Sequence, residues 1–317
     1  FSNGTNLESV YIKSIESWLS IKLTEYSPLY NGAKLYLNGT ELTDLTIPDG
    51  FSNINDFAFC GCTSLRTVII PDCVTSIGVC TFRDCPNLSS ISIPDGLTSI
   101  GAQAFQNCSS LTSIIIPSGV TNIDYGTFLG CSSLTSISIP DAVTSIGSNA
   151  FENCSSLTSI KIPEVVTTIG SWAFSGCSNL TSFTIPNGVE SIDNEVFQYC
   201  SSLTSITIPN SITSIGGNAF TGCSSLTQIH IPEGVTNISG GAFSYCSSLT
   251  SFNVPNGVKA LGYCVFSHCS SLTSINIPDG LVSIDYGAFQ DCSSLTSIPD
   301  LSSWNMAKVV NMSYIFY

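Results

Sequence analysis

Eleven tandem repeats of 23 residues run from Leu42 to Ser294, and no insertion or deletion breaks their register. Each opens on a leucine, from Leu42, Leu65 and Leu88 to Leu249 and Leu272. A unit of 23 residues cannot bury an apolar face by itself, so a fixed period of this kind requires that successive units stack into one continuous core. Numbered from its Leu, the repeat is apolar at positions 1, 4, 6, 10, 13 and 18 and has Cys at position 21; one copy reads Leu134, Ile137, Ile139, Val143, Ile146, Phe151 and Cys154. The segment Leu-x-x-Ile-x-Ile ends in period-two alternation, which predicts a short strand whose position-5 residue faces out. Equivalent strands then pair as a parallel sheet at about 4.8 Å per coil.

Position 7 is Pro in every copy, from Pro48 to Pro278. Lacking an N–H, it ends the ladder there. Pairs such as Asp95-Gly96, Glu233-Gly234 and Asn256-Gly257 follow and suit a tight turn. A second extended segment at positions 10 to 13 comes next. Position 14 holds only Gly, Asn, Asp or Ser, as at Gly78, Gly101, Gly147 and Asp124, so a left-handed backbone is expected there. Position 17 is Ala, Thr or Val and small enough for a bend, and Ala-Phe-x-x-Cys is expected to form a helical turn. Position 18 stacks phenylalanines from Phe59 to Phe289.

The chain has 317 residues, of which 43% are hydrophobic and 9% charged, with eight Lys and Arg against 22 Asp and Glu, a net charge of -14. That balance disfavours nucleic acid and anionic membranes as partners. No apolar run reaches the length of a membrane span.

The unit Leu-x-x-Ile-x-Ile-Pro-x-x-Val-x-x-Ile-Gly-x-x-Ala-Phe-x-x-Cys resembles the BspA-type (Treponema-type) leucine-rich repeat. It departs from the ordinary leucine-rich repeat in replacing the Asn ladder with Pro and Cys. The resemblance implies a repeat solenoid that is mainly β and irregular with little helix. It also implies a secreted or cell-surface recognition module of adhesin type, binding a host or microbial surface protein or glycan. Two rival roles are a passive stalk displaying another domain, and a scaffold attached to a catalytic domain elsewhere.

Three segments are expected: 1–41, a partial repeat with an insert and hairpin; 42–294, the eleven repeats; and 295–317, a partial repeat running into another repeat type. Phe1 precedes Leu7 by six residues, as each ladder Phe precedes the next Leu, so a further repeat is expected upstream. In the insert, Asn38-Gly39 between Lys34-Leu35-Tyr36-Leu37 and Thr40-Glu41-Leu42 signals a hairpin. Asp300-Leu301-Ser302-Ser303-Trp304 with Lys308-Val309 and Met312 resembles a second surface-protein repeat.

No catalytic constellation is legible. The two histidines, His230 and His268, are far apart in sequence, and no phosphate loop or zinc-protease motif occurs. No cofactor or metal is expected. Eleven of the fifteen cysteines form the position-21 ladder and read as small buried thiols. The acids at position 8, such as Asp49, Asp72, Asp95, Asp141 and Glu233, read as solvated turn residues. Two surfaces are candidates for ligand binding. Position 5 varies most, and includes Lys161 and His230 on a Ser/Thr face. Thr at position 2 and Ser at position 3 are expected to point opposite ways. Aromatics at positions 15, 16 and 20, among them Tyr125, Trp172, Tyr199 and Tyr245, are the other candidate, scattered without forming a continuous column.

Overall fold

A computed structural model describes residues 7–24, 27–30, 32–296 and 315. The chain divides into two compact units, Phe1–Pro163 and Glu164–Tyr317, and each is a parallel β-solenoid built from the same coil. The expected second repeat type, Asp300–Met312, lies outside the described residues, as does Phe1.

In the first unit, strands Asp44–Thr46, Thr67–Ile69 and Ser90–Ser92 pair in parallel, with each residue opposite the one 23 positions on. Ser113–Ile115 pairs with Ser136–Ser138 in the same register. A second sheet forms at positions 12 and 13, through Asn53–Ile54, Ser76–Ile77 and Ser99–Ile100. Between the sheets, position 7 is the first residue of a turn: Val120 N–H donates to the Pro117 carbonyl at 3.1 Å. The second unit repeats this plan, with Ser182–Thr184 on Ser205–Thr207, Ser251–Asn253 on Ser274–Asn276, and a second sheet from Ser191–Ile192 to Ser283–Ile284.

The third side of each coil, positions 14 to 21, departs from the sequence reading in two ways. It is not a helical turn. Amides at positions 16, 18 and 20 reach sideways to the next coil, as Gln103 to Tyr125 at 2.8 Å, Phe105 to Thr127 at 3.0 Å and Asn107 to Leu129 at 2.7 Å. The amides between them close four-residue turns, as Ala104 to Gly101 at 3.2 Å. This alternation makes a third intercoil ladder and satisfies donors that a buried turn would otherwise orphan. The left-handed residues are also not at position 14. They fall at positions 16 and 20, as in Gln103 and Asn107 (φ 57° and 58°) or Trp172 and Gly176 (φ 58° and 72°). Glycine at position 14 answers a different need. A Cβ on Gly101 would lie 2.6 Å from both the Gly78 carbonyl carbon and the Val79 nitrogen. At Gly101 the backbone of the preceding coil passes too close for a side chain.

The core follows the repeat. Leu at position 1, Phe at 18 and the small residue at 17 are buried throughout the described coils. The phenylalanines stack with nearly parallel rings 5.5–5.7 Å apart from Phe59 to Phe151, and 5.3–5.9 Å apart from Phe174 to Phe289.

The N-terminal insert covers the first coil. Strand β1 (Ser9–Ile12) leads into helix α1 (Ile15–Leu19), capped by the Ser14 hydroxyl. Strand β2 (Lys34–Leu37) pairs in parallel with β1 and antiparallel with β3 (Thr40–Glu41). Asn38 and Gly39 make the turn with φ 52° and 85°. Trp18 is buried and its indole N–H donates to the Ala58 carbonyl at 2.8 Å, while Asn55 donates to the Leu19 carbonyl at 2.6 Å. The insert thus covers the apolar end of the coil that opens at Leu42. Helix α1 is the one α-helix among the described residues, and none there is long and apolar enough to cross a membrane.

Candidate functional site

Each coil presents three sides, and position in the repeat decides which side a residue occupies. On the first sheet, position 5 is exposed in every coil. Thr at 2 and Ser at 3 are both exposed, contrary to the expected opposition, because the strand begins only at position 3. The Thr hydroxyl instead turns back to the sheet: Thr135 Oγ1 donates to the Thr112 carbonyl at 3.1 Å, and Thr250 to Thr227 at 3.2 Å. One hydroxyl per coil is therefore tied down, while the position-3 and position-5 side chains project.

The coil opening at Leu226 lacks the first strand; residues 227–232 are irregular between Ser205–Thr207 and Ser251–Asn253. A groove of about 760 Å³ opens there, lined by Thr204, Gln228, His230, Asn253, Ser274 and Asn276 among others. Asn276 donates to Asn253 Oδ1 at 2.7 Å, a side-chain rung along position 5. The lining carries no carboxylate, lysine or arginine, so the groove offers hydroxyls, amides and one imidazole beside the apolar Ile206, Ile229, Phe252 and Ile275. In the first unit, Lys161 lines a smaller groove of about 360 Å³ with Ser138, Asp141 and Pro163. Ile115, also at position 5, is 77% exposed.

A third groove, of about 600 Å³, was not legible in the sequence. It lies over the second sheet of the first unit, between Lys22 of the insert, Asn53, Asp56 and Asp124, and its floor includes Gly78 and Gly101. The Cβ-less floor is its only signature in the repeat, and that pattern also serves close packing.

Aromatics occupy the turn side, and the structure pairs more of them than the sequence indicated. Tyr245 stacks on His268 with ring centres 4.3 Å apart, and His268 Nδ1 lies 3.3 Å from Asp291 Oδ2. Tyr263 and Tyr286 stack at 5.5 Å. Tyr199 leans over Gly222, where a Cβ would come within 2.6 Å of its Cδ1. Trp172 donates from Nε1 to Glu195 Oε2 at 2.6 Å. Tyr125 is half exposed at position 15 of the first unit. Lys161 and His230 therefore belong to the first-sheet side of their units, and Trp172, Tyr199 and Tyr245 to the turn side.

The cysteine ladder does chemistry of a quieter kind. The fifteen cysteines form no disulfide, and those at position 21 are buried. In the first unit Cys85, Cys108 and Cys131 donate from Sγ to the carbonyls of Phe59, Phe82 and Phe105 at 3.1–3.2 Å, the carbonyl lying 26 residues earlier in each case. Cys223, Cys246 and Cys269 do the same in the second unit. Each thiol thus ties a coil to its predecessor. Burial pushes Cys131 and Cys246 from the ordinary 9.0 up to about 12. A buried thiol of this kind is inert, and thiol counting after denaturation without reductant is expected to recover most of the fifteen. A pH dependence also follows. The unfolded chain ionises its thiols near 9.0, while the folded chain holds those protons to higher pH. The stabilisation is complete below pH 9 and is lost as pH rises towards 12. Urea midpoints at pH 6, 7.5 and 10.5 should show almost no loss over the first step, which stays well below the unfolded-state value, and a clear fall over the second; a flat profile contradicts the assignment. Among the described residues no group of three or more His, Cys, Asp or Glu is placed to hold a metal ion.

Comparison with known proteins follows the same lines. The BspA type leucine rich repeat region matches residues 32–154, 121–250 and 217–311. A leucine rich cell surface protein from Faecalibacterium prausnitzii is 31% identical over 96% of this chain and 86% of its own, with a TM-score of 0.59. A leucine-rich repeat protein from Bacteroides ovatus is 26% identical, covers 96% and 92%, and has a TM-score of 0.57. The pneumococcal vaccine antigen PcpA, at 17% identity and a TM-score of 0.53, shares the fold. No curated protein matches. The Pro-terminated strand, the Phe stack and the Cys ladder, with these matches, make the chain a member of the BspA-type leucine-rich repeat family.

Proposed function

We propose that the chain is an extracellular recognition module that binds a surface protein or glycan through its first-sheet side. It is a binding module, not an enzyme. The observation that carries this reading is the groove at the Leu226 coil, where the strand is absent and His230, Gln228 and the Asn253–Asn276 rung converge in a neutral, hydrogen-bonding lining. A fixed frame that varies mainly at one projecting position is how a repeat scaffold encodes recognition. The likeness to a Faecalibacterium cell surface protein supports a secreted or surface location.

The test is a screen of the 317-residue chain against arrays of host matrix proteins and glycans. Retention of a defined protein or glycan is the expected result. If nothing is retained by this chain while a longer form of the protein binds, the passive-stalk reading replaces this one.

A further inference from the structure

We propose that the turn side of the second unit holds a separate binding site, an aromatic ridge that takes arginine side chains from a basic segment of a partner protein. This site is independent of the first-sheet reading.

Position 20 of successive coils carries Tyr199, Gly222, Tyr245, His268 and Asp291. Tyr199 leans into the space over Gly222, Tyr245 stacks on His268, and His268 meets Asp291. The backbone at this position is left-handed, with φ of 57°, 59° and 61° at Tyr199, Tyr245 and His268. Other coils use Gly61, Gly130, Gly176 or the tolerant Asp84, Asn107 and Asn153 in the same conformation. A bulky residue there is conformationally unfavourable. The core does not require it, since Tyr199 and Tyr245 are 58% and 52% exposed. These rings are held out at a conformational cost where glycine would serve the fold. Tyr263 and Tyr286, stacked at position 15 of the adjoining coils, widen the aromatic surface.

The charge of the unit selects the occupant, and four of its acids, Asp193, Glu195, Asp285 and Asp291, fall at turn-side positions 14 to 20. Residues 164–296 contain eight acids (Glu164, Glu190, Asp193, Glu195, Glu233, Asp279, Asp285 and Asp291) and one base, Lys259. A cationic partner is drawn to such a surface. Arginine fits it better than lysine, because its planar guanidinium stacks on a tyrosine face while its N–H fork pairs with a carboxylate.

The experiment measures fluorescence anisotropy of labelled nona-arginine with the full chain, against nona-lysine and a neutral dextran. Nona-arginine is expected to bind more tightly than nona-lysine, and dextran not to bind. The Tyr199→Gly/Tyr245→Gly variant leaves the net charge unchanged and uses the residue that other coils already accept. Its affinity for nona-arginine should fall about tenfold, with a melting temperature no lower than that of the parent. Tyr199→Phe/Tyr245→Phe should keep the affinity. Unchanged affinity in the glycine variant reduces the attraction to bulk charge and overturns the proposal. So does dextran binding at the ridge, or failure of the parent chain to bind nona-arginine.

Discussion

Phe128→Ala is expected to destabilise the chain by about 3–5 kcal/mol. The Phe128 ring is fully buried and lies between Phe105 at 5.7 Å and Phe151 at 5.5 Å. Collapse around the missing ring is blocked, because the backbone on both sides is tied to neighbouring coils. Phe128 N–H donates to the Ala150 carbonyl at 2.9 Å, and Phe105 N–H to Thr127 at 3.0 Å. The space therefore stays open, and the transfer and cavity terms add. Coils above and below lose a shared neighbour as well, so the transition should broaden as nearest-neighbour coupling weakens. Urea unfolding followed by far-UV circular dichroism measures both effects. A loss below about 1 kcal/mol would show that the stack repacks freely.

The second large effect is of the opposite kind, an added atom. Gly101→Ala places a Cβ 2.6 Å from the Gly78 carbonyl carbon, 2.6 Å from the Val79 nitrogen and 2.8 Å from the Gly78 oxygen. All three are backbone atoms, and neither backbone segment can step aside. Gly101 N–H is bonded to Ile77 at 2.8 Å and Gly78 N–H to Ile54 at 2.9 Å. Overpacking of this sort costs about 1–3 kcal/mol. Gly96→Ala is the control, since its Cβ would meet nothing nearer than the Asp72 carbonyl at 3.5 Å; it should be neutral or slightly stabilising. Equal stability of the two variants would contradict the close-approach account of position 14.

These two cases show what a repeat makes legible and what it hides. Phe128 was readable because burial leaves a chemical mark in every copy, and position 18 never changes. Pro at position 7 likewise announces its own effect, the end of the strand. Gly101 was misread because glycine answers two demands, positive φ and close backbone approach, and sequence does not separate them. The left-handed residues went unseen for the converse reason. Trp172, Tyr199, Tyr245 and His268 carry no signature of positive φ, and Gly130 or Asn107 in equivalent places looks like ordinary loop composition. The third ladder is made by backbone amides alone, so no side chain reports it. Cys131 was legible as a small buried residue but not as a donor to the Phe105 carbonyl, because that partner is set by the stagger between coils.

The candidate site was half readable on the same grounds. His230 and Lys161 were marked by variation at position 5 in a constant frame. The groove around His230 was not, since Ile229 and Ile231 preserve the alternation of the coils that do form strands. The insert's role in covering the first coil, with Trp18 on Ala58, was also invisible, because Trp18 lies outside the period altogether.

The most direct test of the recognition account is the dissociation constant of the ligand retained in the array screen, measured for the parent chain and for a His230→Ala/Asn253→Ala/Asn276→Ala variant alongside their melting temperatures. The three side chains project from position 5 and seal no core, so the melting temperature should not move. The account predicts a weakening of about tenfold or more, as expected when hydrogen-bonding groups at a contact centre are removed. Equal dissociation constants for the two proteins would contradict it and place the binding surface elsewhere on the coil.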